Sequence, residues 1–218
     1  MNWESARAVV EKVNTHDNVT IVCATKTVPS EIMNDIYNQL GLGIVGENRV
    51  QELLSKYDDA NLCKSWHFIG QLQTNKVKYI IDKVDLIQSV DRLNLAVEID
   101  KQAKKISKTQ DILVEVNMAD EVTKGGATPD EVFAFIEEIE KLDNIRVKGL
   151  MSVLPNLEDK ALLGKFYKKL FSLYDQVKRA KTGIEYLSAG MSGDWEMAVD
   201  NGANMIRLGS ILFGKRVY

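Results

Sequence analysis

The chain has 218 residues, of which 45% are apolar and 27% charged, a globular balance that excludes a disordered protein and allows a substantial core. Lysine and arginine number 28 against 31 aspartates and glutamates, and the net charge of −3 gives no reason to expect nucleic acid or an anionic membrane as a partner. Two cysteines, Cys23 and Cys63, are too few for a disulfide scaffold or a structural zinc site and read as small apolar side chains of a reducing, cytoplasmic compartment.

The first residues, MNWESARAVVEKV, place Glu4 and Arg7 where a signal peptide needs an apolar run. No stretch approaches the roughly 20 apolar residues of a membrane span. Trp3, Ala6, Val10 and Val13 instead form one stripe of a helix. From there short β-branched runs alternate with helical stripes. Strands are expected at VTIVCA (19–24), LGIVG (42–46), WHFIG (66–70) and VDLIQSV (84–90), then ILVEVNM (112–118), IRVKGLMSV (145–153), IEYLSAG (184–190) and NMIRLGSILFG (204–214).

Between the strands, Ile32, Ile36 and Leu40 share a helix face. So do Val132, Phe135, Ile136 and Ile139, and, in the longest stripe, Leu163, Phe166, Leu170, Leu173, Tyr174 and Val177. Thr128-Pro129-Asp130-Glu131 reads as an N-cap, a first-turn proline and a capping-box glutamate. The prolines Pro29, Pro129 and Pro155 lie far apart, no linker composition appears, and residues 1–218 read as one domain.

Alternating strands and helices predict a parallel sheet. Eight strand segments are the number that closes a (β/α)8 TIM-type barrel, here with an extra N-terminal helix. The rival is an open doubly wound sheet. That fold usually carries a Gly-rich turn after its first strand, where this chain reads CATKTVPS.

A barrel carries its site at the C-terminal strand ends. Lys26 follows the first strand, where partial desolvation favours the neutral amine that imine formation requires. A lysine there can also simply snorkel to solvent. GMSGDWEMAVDNG (190–202) runs from a Gly/Ser loop into a helix, and RLGS (207–210) adds further N–H groups. Together they make a phosphate site, or else two ordinary turns with Asp194 as a cap. A lysine and a phosphate cup adjacent in a closed ring suit pyridoxal 5′-phosphate. Arg207 can face the pyridine nitrogen, holding it unprotonated because arginine only donates, or form a salt bridge at the rim. His67 is either a ligand neighbour or a satisfied core histidine. No metal-ligand spacing is present.

The segments IVCATKTVP, VGENRVQE, WHFIGQLQTNK, VDRLNLA, VEVNMADEVTKGG, KGLMSV and LSAGMSGDWEMAVDNGANMIRLGSILFG resemble the pyridoxal-phosphate homeostasis protein family. The barrel of that family is similar to the N-terminal domain of bacterial alanine racemase. The resemblance runs from residue 21 to 214 in family order. It implies that Lys26 is the imine lysine and that Ser192, Gly193, Gly209 and Ser210 hold phosphate. It also implies that Arg207 faces the ring nitrogen, with Asn48 and Met151 beside the ring and Ser152 near them. Thr25, Ala189 and Ser210 replace the family's usual serine, methionine and threonine.

The implied function is intracellular cofactor homeostasis by a cytoplasmic monomer, with pyridoxal-phosphate-requiring apoenzymes as partners and little amino-acid turnover. The alternative is a pyridoxal-phosphate-dependent amino-acid racemase. Two-base racemisation needs a second base, which alanine racemase takes from a further domain. Here the sequence ends at Tyr218, and chain ends are usually mobile. A third reading drops the cofactor and makes Lys26 the imine base of a phosphosugar lyase or isomerase.

Overall fold

The computed structural model describes residues 1–119 and 125–214. Eight strands form one closed parallel barrel in chain order. They are β1 (Thr20–Ala24), β2 (Ile44–Glu47), β3 (Ser65–Phe68), β4 (Leu86–Val90), β5 (Gln110–Glu115), β6 (Ile145–Met151), β7 (Tyr186–Ser188) and β8 (Met205–Leu208). β8 closes the ring on β1, with Val22 opposite Arg207.

Strand period decides the two faces. In β1, Ile21 and Cys23 join the large core beneath the helices, while Val22 belongs to a second cluster. That second cluster, with Ile69, Leu86, Leu113, Met151 and Met205, fills the ring interior. Register shifts in β4 against β5 and in β5 against β6 keep inward positions aligned as the ring closes.

The helices follow from stripes and caps. They are α1 (Trp3–Val13), α2 (Ser30–Leu40), α3 (Val50–Lys56), α4 (Leu93–Lys105), α5 (Val132–Ile139), α6 (Lys160–Ala180), α7 (Trp195–Asp200) and α8 (Ser210–Phe213). Asn2 caps α1 by accepting from the Ser5 amide at 3.1 Å. Asp159 caps α6 by accepting from the Ala161 and Leu162 amides. The helix after β8 is a single turn, and the extra helix α1 packs against it and against α2, completing the outer ring. Cys23 is buried and Cys63 half-buried; both thiols are free, and burial pushes Cys63 up to about 11.

Several sequence boundaries move. The apolar run 204–214 is not one strand, because Gly209 (φ −120°, ψ −88°) turns the chain from β8 into α8. The connection from β3 to β4 is a 3-10 helix, Thr74–Tyr79. On α6 the residue buried between Leu163 and Leu170 is Tyr167, not the expected Phe166, which is half-covered. The proposed box at Thr128 closes only one way: Glu131 accepts from the Thr128 amide and hydroxyl, and α5 starts one residue after it. No helix among the described residues is long and apolar enough to cross a membrane.

Candidate functional site

Lys26 lies two residues beyond β1, half-buried, in a turn held from below. Thr25 donates its hydroxyl to Glu47 Oε1 at 2.8 Å, and Lys56 Nζ donates to that same oxygen at 2.8 Å. Lys56 also donates to the Thr25 carbonyl at 3.0 Å. On the other side, the Thr27 amide donates to Glu52 Oε2 at 2.7 Å, fixing a non-glycine residue at φ +64°. Both neighbours of Lys26 are therefore pinned by a Glu47–Lys56–Glu52 cluster. Burial raises the Glu47 carboxyl, against the opposing pull of Lys56. The lysine opens on a cavity of about 240 Å³ that Gly209, Ser210 and Phe213 also line.

The cup at β7 and β8 is built from amides. Gly190 (φ +92°) turns the chain after β7, and a Cβ there would lie 2.5 Å from Ala198 Cβ, so only glycine fits. The loop that follows brings Ser192 Oγ to the amides of Gly209 and Ile211, each 3.2 Å away. The Ser192, Gly193 and Ser210 amides donate to no described residue. Space above Gly193 is open. Asp194 is turned aside: it accepts from the Tyr167 hydroxyl at 2.6 Å and from the Met191 amide at 2.7 Å. This keeps its charge occupied, and burial together with Asp194 raises the Tyr167 phenol.

Arg207 points into the ring and is 4% exposed. It donates to Ser188 Oγ at 2.7 Å and to the Ser152 carbonyl at 2.9 Å. Burial draws the guanidinium down, and Tyr167, Glu115 and Asp194 oppose that. The salt bridge at the rim is thus not what holds it: its partners are a hydroxyl and a carbonyl. Met151 ends β6 in the interior cluster, and Ser152 spends its hydroxyl on the Val116 carbonyl at 2.8 Å.

Asn48, one residue beyond β2 and so beside the Lys26 strand, lines a second cavity of about 250 Å³ with Ile69, Gln71, Glu115 and Asn117. Gly70 is needed there because a Cβ would lie 2.3 Å from the Asn48 carbonyl oxygen. Glu115 is pushed up to about 7, first by burial and then by Asp91, against Arg207 and Arg92.

The structure thus brings Lys26, Gly209 and Ser210 to one cavity and places Ser192 in contact with Gly209. Gly193 and Ser192 line a second groove of about 390 Å³, and Asn48 lines a separate cavity. His67 is not at the mouth. It lines a cavity of about 220 Å³ with Thr20, Ser65 and Asp85, which mark the strand starts. Sequence reading missed Glu115, Gln88 and Ser188. The signal for Gln88 was a lone amide inside the apolar run of β4. Residues 120–124 of the VEVNMADEVTKGG motif, and Tyr218, lie outside the described residues. No group of three His, Cys, Asp or Glu that could hold a metal occurs among the described residues.

The family model for the alanine racemase N-terminal domain matches residues 3–217. A pyridoxal phosphate homeostasis protein of Aquifex aeolicus is 47% identical over 197 residues, covering 89% of this chain and 86% of that one. Its counterpart in Vibrio alginolyticus is 35% identical over 211 residues, covering 94% and 89%. Among solved structures, PipY of Synechococcus elongatus with PLP bound superposes with a TM-score of 0.85 at 26% identity, covering 96% of this chain and 99% of that one. Alanine racemase of Clostridium difficile shares the fold, with a TM-score of 0.79 at 16% identity over 100% of this chain and 60% of its own. With the closed barrel and these matches together, the chain belongs to the pyridoxal phosphate homeostasis protein family, on the barrel of the alanine racemase N-terminal domain.

Proposed function

We propose that the protein binds pyridoxal 5′-phosphate covalently at Lys26 Nζ and serves intracellular homeostasis of that cofactor, with little or no amino-acid turnover. One observation carries the reading: the Lys26 amine shares its cavity with Gly209 and Ser210 of the amide cup. The residues fit such a ligand. The Ser192, Gly193 and Ser210 amides have no acceptor among the described residues, and the space over Gly193 is open. A phosphorylated anion supplies what those donors lack. The names of the relatives and the PLP-bound PipY support the same ligand.

When bound, the cofactor supplies an aldehyde for the lysine amine and a phosphate for the cup. Ser192, Gly193, Gly209 and Ser210 hold the anion. Arg207 has donors only, so it keeps a ring nitrogen facing it free of a proton. Asn48, one residue beyond β2, and Met151, the last residue of β6, would flank the ring. The Glu47–Lys56–Glu52 cluster keeps the Lys26 turn from drifting. Residues 1–218 act as one cofactor-binding domain, a cytoplasmic monomer that passes the cofactor to apoenzymes requiring it.

The test is the visible absorption of the chain mixed with pyridoxal phosphate, before and after borohydride, with peptide mapping of the reduced adduct. A single adduct on Lys26, abolished in Lys26→Ala, is expected. An adduct that persists at one other site rules out Lys26. A chiral assay over a panel of amino acids is expected to show no more than about one turnover per chain. Many turnovers would replace this reading with the racemase.

A further inference from the structure

We propose that His67 and Gln88 are positioning residues for the cofactor site, fixing the Arg207 guanidinium through a one-way hydrogen-bond chain that crosses the barrel. The cofactor half of this inference rests on the function proposed above; the chain itself rests on the structure alone.

The chain begins at Arg207 on β8, which donates to Ser188 Oγ on β7 at 2.7 Å. Ser188 Oγ donates to Gln88 Oε1 on β4 at 2.7 Å. Gln88 Nε2 meets His67 Nδ1 on β3 at 2.9 Å and Met205 Sδ at 3.3 Å. In an eight-strand ring, β3 and β4 stand opposite β7 and β8, so the chain runs along a diameter. Every member is buried: Ser188 and Gln88 are 0% exposed and His67 is 5% exposed.

Donor chemistry leaves this chain one direction. A guanidinium can only donate, so Ser188 must accept from it. Ser188 then has one proton left, which goes to Gln88 Oε1. With its oxygen taken, Gln88 presents its NH2 to His67. Nδ1 therefore carries a lone pair, and the imidazole is the neutral Nε2–H tautomer. Burial, which lowers His67 to about 4, agrees with a neutral ring.

The groups facing His67 are Asp85, Asp111 and Tyr186 at the floor cavity. Asp85 is committed to the Ser65 hydroxyl and the Trp66 amide, and Asp111 to Arg146. Nothing there demands a proton on Nδ1.

The consequence lies at Arg207. Two of its five N–H groups are clamped, to Ser188 and to the Ser152 carbonyl, and the others are left for a ligand. Without Gln88 as acceptor, or with its amide free to rotate once His67 no longer holds the NH2, the Ser188 hydroxyl loses the partner that orients it. Its lone pair is then no longer fixed on the guanidinium, and the clamp loosens.

The test has two arms. In the ligand-free chain, nitrogen-15 NMR is expected to show His67 as the neutral Nε2–H form near neutral pH and slowly exchanging Arg207 guanidinium protons. Gln88→Leu and His67→Phe are expected to speed that exchange about tenfold or more, as the loss of a buried hydrogen bond to a charged group implies. Gln88→Glu keeps an acceptor for Ser188; it should restore slow exchange while converting His67 to the doubly protonated form, a rescue that a purely structural role would not give. If Gln88→Leu does not fold, His67→Phe and Gln88→Glu decide the matter.

In the second arm, the variants are loaded with pyridoxal phosphate. Gln88→Leu and His67→Phe are expected to alter the pH profile of the visible band and to release the cofactor about tenfold faster, with Gln88→Glu near wild type. Unchanged Arg207 exchange in folded Gln88→Leu and His67→Phe overturns the relay. A wild-type chain that takes up no pyridoxal phosphate overturns the cofactor reading instead, and the exchange arm still decides the relay.

Discussion

Glu115 shows how a single carboxyl at the mouth of the barrel reports on the whole fold. Burial, and after it the neighbouring Asp91, push its carboxyl up to about 7 against 4.5 for an exposed glutamate. The folded state thus holds this proton more tightly than the unfolded one. The resulting stabilisation is full below about pH 4.5 and is lost as pH rises through about 7. The change is worth roughly 3 kcal/mol. Urea unfolding of Glu115→Gln at about pH 5 and about pH 8 is expected to show a difference smaller than wild type by about 2–3 kcal/mol. An unchanged difference would assign the pH dependence to other groups. Lys26 and Arg207 could be named from the sequence as candidates, because a lysine after an apolar strand and an arginine before a glycine turn carry their chemistry with them. Glu115 could not, because its character comes from burial and from Asp91, which belongs to another strand end.

Among the elements, the loop from Gly190 into α7 is where local geometry and ligand binding coincide. Gly190 combines φ +92° with a neighbour that leaves no room for a side chain. Gly190→Ala is expected to cost about 1–3 kcal/mol in urea unfolding. It is also expected to weaken uptake of pyridoxal phosphate, because Ser192 would leave the Gly209 and Ile211 amides. Normal uptake would show that the cup is set by β8 alone. The long α6 was readable from its stripe. The single-turn α8 was hidden inside an apolar run, since four residues carry no helical period. The fold-back of Glu131 onto Thr128 instead of a full capping box likewise needed coordinates, because the same residues serve either geometry.

At the scale of the molecule, closure gives the ring a packed interior, and its apolar share has no outlet for relaxation. Leu113 is fully buried in that interior with Met151, Val22 and Leu86 around the ring. Leu113→Ala is expected to destabilise the protein by about 2–5 kcal/mol in urea unfolding, the range for a leucine core truncation that leaves a cavity. A loss below about 1 kcal/mol would mean that the ring collapses onto the gap. The eight-fold alternation was visible in the chain. The register shifts that let inward residues meet were not, because register is set by pairing with the neighbouring strand, and strands apolar on both faces read as the same continuous run in any register.

The sequence by itself determined the eight-fold alternation of strands and helices, the amine after the first strand and the Gly/Ser loops at the last two, since strand period, helix stripes and turn chemistry are local properties; that the strands close into a ring rather than lie in an open sheet was decided by the tertiary structure. Only the tertiary structure decided which inward side chains meet. Ser188 and Gln88 are 100 residues apart in the chain and 2.7 Å apart in the ring. The polarity of that hydrogen bond, and of the imidazole beyond it, is set by a guanidinium on a third strand, and such contacts exist only once the ring has closed.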